Sequence, residues 1–199
     1  VLIFGVTGNI GSGKSTISKM LSDLGAFTID ADVIALTVVI PNSQTFAQVV
    51  NEFGLSILQD DGTLDRKSLA SIVFTDPRKL AILNEIVHPA IMGSIKLMVE
   101  KYRKTLSDEA VVVIDAPLIV ETEFLSLVDS LLVVAADENV RLKRLLKKGY
   151  SREDALARMK SQTPSDVLVT HADYIINNNG TLEELKEKVD ELWEKISGE

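Results

Sequence analysis

The chain of 199 residues contains no cysteine, which rules out a disulfide framework, a thiolate metal site and a thiol nucleophile. No uninterrupted apolar run approaches the ~20 residues that cross a bilayer. The first residues enter an apolar segment without the basic region and small-residue cleavage site of a secretory signal. A soluble intracellular protein is therefore expected, with the cytoplasm as the simplest location. Positive charge is scarce: 21 Lys and Arg against 29 Asp and Glu leave a formal net charge of −8, which opposes broad attraction to nucleic acid or anionic lipid. A polyanionic ligand would need a local basic site. Internal repeats, low-complexity tracts and linker-like stretches are also missing. What remains is 46% hydrophobic and 25% charged, the composition of an ordinary globular protein with one sizeable core and room for an inserted subdomain.

Within that composition, Gly8-Asn9-Ile10-Gly11-Ser12-Gly13-Lys14-Ser15 fits the pattern G-x-x-x-x-G-K-[ST] residue for residue. The apolar run from Val1 to Val6 precedes it and a helix-forming segment, Thr16 to Leu24, follows. Strand, glycine-rich turn and helix in that order make a phosphate-binding loop. The glycines let the backbone bend around an anion so that successive N–H groups and the helix N-terminus face the phosphates. Lys14 supplies a cation to the β- and γ-phosphates, and Ser15 a hydroxyl to Mg²⁺. The other reading, a glycine-rich surface turn with a chance Lys-Ser, does not account for the flanking strand and helix.

Gly25 then marks a stop, and Ala26 to Ile29 reads as a second short strand ending at Asp30. Asp30-Ala31-Asp32 falls at a strand's carboxyl end, where open α/β sheets bind ligands. Asp32 is the candidate base for an acceptor hydroxyl; its plainer role would be to cap a helix starting at Val33. From Pro41 to Leu106 helix-period segments replace the alternation of strand and helix: Ser43 to Phe53, Asp65 to Phe74, and Asp76 through to Tyr102. Asp65 and Asp76 are N-cap candidates, and Pro77 suits a first helical position. Asp60-Asp61-Gly62-Thr63 reads as a turn. Pro89 is expected to bend or interrupt the long segment after His88. His88 and Arg66 are each a possible ligand contact, or a structural histidine and a solvated helix charge.

Ala110 to Asp115 is the plainest strand, a β-branched run that suits a sheet covered on both faces, and its terminal Asp115 is a candidate metal-side carboxylate. Pro117 and Leu118 lead to Glu121, which either bonds a substrate or begins a helix. Strands at Ser130 to Ala135 and Tyr174 to Ile176 bring the total to five. Between them, Arg141, Lys143, Arg144, Lys147, Lys148, Arg152, Arg158 and Lys160 place eight basic residues within twenty. Such a segment can form a helical lid that closes over nucleotide phosphates, with two or three of the eight touching ligand and the rest solvated. Ser151 with Asp154, and Thr181 with Glu184, carry the capping-box spacing of new helices. The last of these, ending near Trp193 and Ile196, should pack on the sheet.

The phosphate loop fixes nucleotide binding and leaves its use open. A GTPase switch would need N-K-x-D and D-x-x-G segments, which are absent. A motor or transport ATPase would need coupling segments for which the chain has no room. A small-molecule kinase accounts for the helical insertion, the basic lid and the Asp near the loop together.

The sequence resembles the dephospho-coenzyme A kinase family over nearly its whole length. The resemblance rests on the loop from Gly5 to Thr16, Asp30-Ala31-Asp32-Val33-Ile34-Ala35, Asp61-Gly62, Leu64-Asp65-Arg66 with Leu69, and Val73-Phe74. It continues in His88-Pro89, Pro117-Leu118 with Glu121, Arg144, Gln162, Ala172-Asp173, and Asn178 with Gly180. It implies a P-loop kinase with a five-stranded parallel sheet flanked by helices (1–40 and 107–199, with a lid at about 139–165) and an inserted helical acceptor domain at 41–106. By that resemblance Asp32 is the base and Lys14, Ser15 and Mg²⁺ stabilise the transferring phosphoryl group. Arg144 is the lid cation. Arg66, His88, Pro117, Leu118 and Glu121 face the acceptor, and Asn178 lies near the adenine of ATP. The partners implied are ATP and dephospho-coenzyme A, with neither nucleic acid nor membrane. Asn9 stands where the family often has glycine, a difference expected to matter little. Lys148, Leu168 and Asn177 stand where arginine, lysine and aspartate are usual.

Overall fold

The computed structural model describes residues 1–116 and 123–198. In chain order the elements are β1 (Leu2–Thr7), α1 (Lys14–Asp23), β2 (Phe27–Asp30), α2 (Ala31–Thr37), α3 (Gln44–Phe53), α4 (Arg66–Val73), α5 (Pro77–Thr105) and β3 (Val111–Asp115). After these come β4 (Ser130–Ala135), α6 (Glu138–Lys147), α7 (Arg152–Lys160), α8 (Ser165–Val169), β5 (Tyr174–Asn177) and α9 (Leu182–Ser197). Single 3₁₀ turns occur at Leu55–Ile57 and Glu123–Leu127.

The five strands form one parallel sheet in the order β2-β3-β1-β4-β5. All five residues of β3 are buried, as the unbroken β-branched run requires of a strand covered on both faces. The edge strands β2 and β5 are partly exposed. Registers align the strand ends: Asp30 of β2 lies opposite Asp115 of β3, and Asp115 opposite Val6 of β1. Asp115 and Asp30 therefore sit at the carboxyl edge of the sheet, beside the turn that follows Thr7, which is where a doubly wound sheet receives its ligand.

The chain divides into two compact units, Val1–Asp30 with Val99–Glu199, and Ala31–Met98. The first unit contains the sheet. Phe4, Ile17, Leu21, Val113, Leu132 and Val189 are fully buried in its core, which joins α1, the sheet and α9. The 3.6-residue spacing of Leu185, Val189 and Leu192 places one stripe of α9 in that core. Its N-terminus carries the full capping box, with Thr181 accepting from Glu184 N–H and the Glu184 carboxylate accepting from Thr181 N–H. At α7 the pattern is realised differently: Ser151 caps Asp154 N–H, and the Asp154 carboxylate accepts from the Ser151 hydroxyl instead of the backbone.

The second unit, helical apart from an isolated bridge between Leu58 and Leu64, has its own core of Val39, Val49, Ile57, Leu64, Leu69 and Val73. It begins at Ala31 and ends at Met98, where the sequence pattern set the insertion at 41–106. The reason for the later end is continuity: α5 runs from Pro77 to Thr105 as one helix. It passes through Pro89 without a break, so of the expected bend or interruption the interruption does not occur. Proline removes one hydrogen bond from the helix interior, and here packing on either side offsets it. Leu80, Leu83, Ile86 and Val87 pack on the second unit's core, and Ile91, Ile95 and Val99 are buried beyond the proline.

Local chemistry sets the other boundaries. Asp65 caps α4, accepting from Lys67 N–H at 3.0 Å, Ser68 N–H at 3.1 Å and the Ser68 hydroxyl at 2.6 Å. Asp76 accepts from Arg78 N–H at 2.9 Å, with Pro77 in the first helical position. The turn at Asp61 closes through Thr63, whose N–H and hydroxyl both donate to the Asp61 carboxylate. Those hydrogen bonds hold the Asp61 carboxyl below the ordinary carboxylate value. By length and composition α5 is also long and apolar enough to cross a membrane, with a window of mean hydropathy 1.3. Its sequence carries Arg78, Lys79, Glu85, Lys96, Glu100 and Lys101.

Candidate active site

The loop between β1 and α1 is built as an anion cradle. Gly13 precedes α1 with φ 101°, a region that residues with a Cβ rarely occupy. A Cβ there would also collide with the Asn178 side-chain amide. At Gly8 a Cβ would come within 2.5 Å of the Val134 carbonyl oxygen, and at Gly11 within 2.9 Å of that of Arg141. The three glycines are thus required both by the bend and by close approach of β4, α6 and Asn178. Gly13 carbonyl accepts from Thr16 and Ile17 N–H at 3.0 and 3.2 Å, so α1 starts under the loop with its N-terminal dipole toward it. Ser15 and Thr16 are exposed at that start.

Lys14 forms an ion pair with Asp115. The register that puts Asp115 beside β1 makes this contact possible, and at 13% and 8% side-chain exposure the pair is largely withdrawn from water. The carboxylate read from sequence as a metal-side candidate thus holds the loop lysine.

Arg144, on the last turn of α6, donates through Nη1 to the carbonyls of Gly11 at 3.2 Å and Ser12 at 3.1 Å, and through Nη2 to Asn178 Oδ1 at 3.2 Å. Asn178, 5% exposed, donates its amide to Ser12 carbonyl at 2.7 Å. Both ends of the carboxamide expected near adenine are engaged inside the protein. Asn178 braces the loop and has little surface left to offer a base.

The other face of the loop is held by the segment after α7. Ile10 N–H donates to Gln162 Oε1 at 2.8 Å, and Asn9 Nδ2 donates to Thr163 carbonyl at 3.2 Å and the Ser165 hydroxyl at 3.0 Å. Ile10 packs against the small core of Leu142, Leu145, Ala155 and Met159 that joins α6 to α7. Asn9 therefore is not a neutral replacement for glycine: it is 8% exposed and ties the loop to α8. No local pattern identifies such partners, because the bonded residues lie 152 to 156 positions apart.

The structure brings Gly8 to Thr16, Asp115, Arg144 and Asn178 together in the first unit. Asp32, Arg66 and His88 belong to the second. There Asp32 is exposed in the first turn of α2. Arg66 opens α4 and donates to the Leu36 carbonyl at 3.1 Å. His88 is half-buried on α5. Pro117, Leu118 and Glu121 lie outside the described residues. Of the eight basic residues between β4 and β5, Arg144 reaches the loop through its guanidinium, and Arg141 packs its backbone and Cβ on Gly11. Lys143, Lys147, Lys148, Arg152, Arg158 and Lys160 are exposed, Arg158 stacking on Tyr150 at 5.2 Å.

A parallel sheet in this order, ending in a glycine cradle with a lysine and backed by an arginine from a helical segment, defines a P-loop phosphotransferase. Comparison with known proteins makes the class narrower. Residues 2–184 match the model of the family described as Dephospho-CoA kinase. A relative of that name from Carboxydothermus hydrogenoformans is 40% identical over 194 residues, covering 97% of this chain and 93% of its own. Among solved structures, a Thermus thermophilus protein superposes with a TM-score of 0.80 at 31% identity, covering 98% of this chain and 97% of its own. A dephospho-CoA kinase from Campylobacter jejuni superposes with a TM-score of 0.76 at 28% identity and the same coverage. The chain belongs to the dephospho-CoA kinase family, and it is an ATP-using kinase.

Proposed function

We propose that the protein transfers the γ-phosphoryl group of ATP to the ribose 3′-hydroxyl of dephospho-coenzyme A, giving coenzyme A and ADP in the last step of coenzyme A synthesis, in the cytoplasm. The observation that carries this reading is the braced cradle from Gly8 to Thr16 with Lys14 at its mouth, in a chain of this family. The cradle holds the triphosphate, and Lys14 exchanges Asp115 for the β- and γ-phosphates. Asp32 takes the proton of the 3′-hydroxyl as its oxygen bonds to the γ-phosphorus. The bond between that phosphorus and the β,γ-bridging oxygen breaks, and ADP leaves. Arg144 steadies the charge that builds on the phosphoryl oxygens. Phosphoryl transfer asks for little covalent work by the protein, so positioning and electrostatics carry the rate.

The donors suit Mg²⁺, because the Ser15 hydroxyl and the Asp115 carboxylate are hard oxygen ligands. These two residues would hold it beside the phosphates, where it neutralises phosphate charge. The helical unit receives the acceptor, with Arg66, His88, Pro117, Leu118 and Glu121 as its contacts. The segment 139–165 acts as the lid.

The test is ADP production from Mg-ATP with dephospho-coenzyme A compared against gluconate, shikimate, uridine and AMP, with a control lacking acceptor. Turnover confined to dephospho-coenzyme A is the expected result. A preference for another acceptor would overturn the assignment while leaving the kinase intact.

A further inference from the structure

Arg141 has an environment that its neighbours on the phosphate loop do not share. It lies on the first half of α6, and its backbone packs on the loop so closely that its carbonyl oxygen, Cα and Cβ would all stand within 3.1 Å of a Cβ at Gly11. The residue is 9% exposed, yet its Nε and Nη1 are buried with no hydrogen-bond partner among the described residues. A guanidinium keeps its charge at every working pH and presents five donors in a fixed fork. Burial of two of the three guanidinium nitrogens without acceptors is costly, and native proteins almost always supply a partner or keep the group for a purpose. The other two cations of the loop are already engaged: Lys14 with Asp115, and Arg144 with two loop carbonyls and Asn178.

We infer that Arg141 is a nucleotide-binding residue, its guanidinium held beside the loop to donate to phosphate oxygens of ATP. This rests on the reading of the Gly8 to Thr16 loop as the nucleotide site. A phosphate offers the ligand Arg141 lacks: an anionic acceptor whose geometry matches two parallel N–H groups. The alternative, a charge retained only for packing or satisfied by a trapped water, predicts no dependence of nucleotide affinity on this side chain.

The experiment uses the whole protein with Arg141→Met and Arg141→Gln, and reads affinity for ATP, ADP and inorganic tripolyphosphate by calorimetry and the melting temperature without ligand. The expected result is a dissociation constant raised by roughly tenfold or more for all three ligands. Melting of the unliganded protein should be unchanged or higher, since a buried unpaired charge has been removed. Arg141→Lys, which keeps the charge and loses the fork, should recover part of the affinity. Lys186→Met, exposed on α9, should change nothing. Unchanged affinity in the Arg141 variants would overturn the inference, as would a loss for ATP that is not seen with tripolyphosphate. Lys14→Ala separates the two levels. If it too leaves tripolyphosphate affinity intact, the loop itself has been misread; if it abolishes binding while Arg141→Met does not, only the role of Arg141 falls.

Discussion

Asn178→Ala tests whether the phosphate loop owes its shape to a side chain 166 positions away in sequence. The substitution removes two hydrogen bonds, one from the amide to Ser12 carbonyl at 2.7 Å and one accepted from Arg144 Nη2 at 3.2 Å. A neutral bond contributes about 1 kcal/mol net and one to a charged group about 1.5–3 kcal/mol. Ser12 carbonyl keeps Arg144 Nη1 as a donor, and Arg144 keeps both loop carbonyls, so neither is left unsatisfied. The expected loss is therefore about 2–4 kcal/mol, a large share of the ~5–15 kcal/mol that holds a domain folded. Trp193 is the sole tryptophan and packs against the first unit's core from α9. Its fluorescence in urea thus reports the unit that carries Asn178. The kinetic counterpart is a raised KM for ATP. Coupling sharpens the test: Gly13→Ala suffers both from φ 101° and from collision with the Asn178 amide, and Asn178→Ala relieves only the collision. The double variant should be more stable than the sum of the singles predicts. A single-variant loss under about 0.5 kcal/mol, or a strictly additive cycle, would refute the bracing argument.

Asp32→Asn should lower kcat by roughly 100-fold while ATP affinity stays near that of the parent, because a carboxamide cannot take the hydroxyl proton; near-normal kcat would remove Asp32 from that role. Asp115→Asn removes the carboxylate of the largely buried ion pair with Lys14 and should lower the urea midpoint, an effect that saturating ATP reduces if the phosphates take over the lysine. Acid unfolding should carry a signature of Asp65, whose carboxyl the Ser68 hydroxyl and backbone N–H groups hold below the ordinary value. A depressed carboxyl contributes stability above its unfolded pKa of about 3.9, and the contribution is lost as pH falls through the lower folded value. The gap between the urea midpoints of the parent and Asp65→Asn should then be constant above about pH 5 and narrow as the pH falls below about 4; a gap that stays equal would show that the cap does not depend on ionisation.

Much of this architecture could be read locally. The apolar β-branched run ending at Asp115 and the glycine pattern after Val6 announce a central strand and a cradle with short-range signals. Asp65, Ser151 and Thr181 announce helix starts through contacts within three residues. Where the local signal was a penalty and not a preference it misled: one missing N–H at Pro89 did not break α5, because packing on both sides outweighs it. The short helix α8 carried too little periodicity to be seen at all.

The site was legible in its ligand-facing residues and opaque in what holds them. Gly8, Gly11, Gly13 and Lys14 stand in one octapeptide, so their pattern survives in the sequence alone. Gln162, Asn9, Arg141 and Asn178 act across the fold, and a lone Asn or Gln in a sequence carries no trace of a partner 150 residues distant. The basic stretch shows the same division. Its density announced a polyanion site, but charge is identical along the segment and cannot say which members matter. The fold does distinguish them: α6 packs the Arg141 backbone on Gly11 and sets the Arg144 guanidinium on the loop carbonyls, three residues apart on one helix face, while the neighbouring lysines stay in solvent. If these arginines grip phosphate, the site of this acidic protein lies on one helix face against one turn, and the sheet order that sets β1 between β3 and β4 supports that turn.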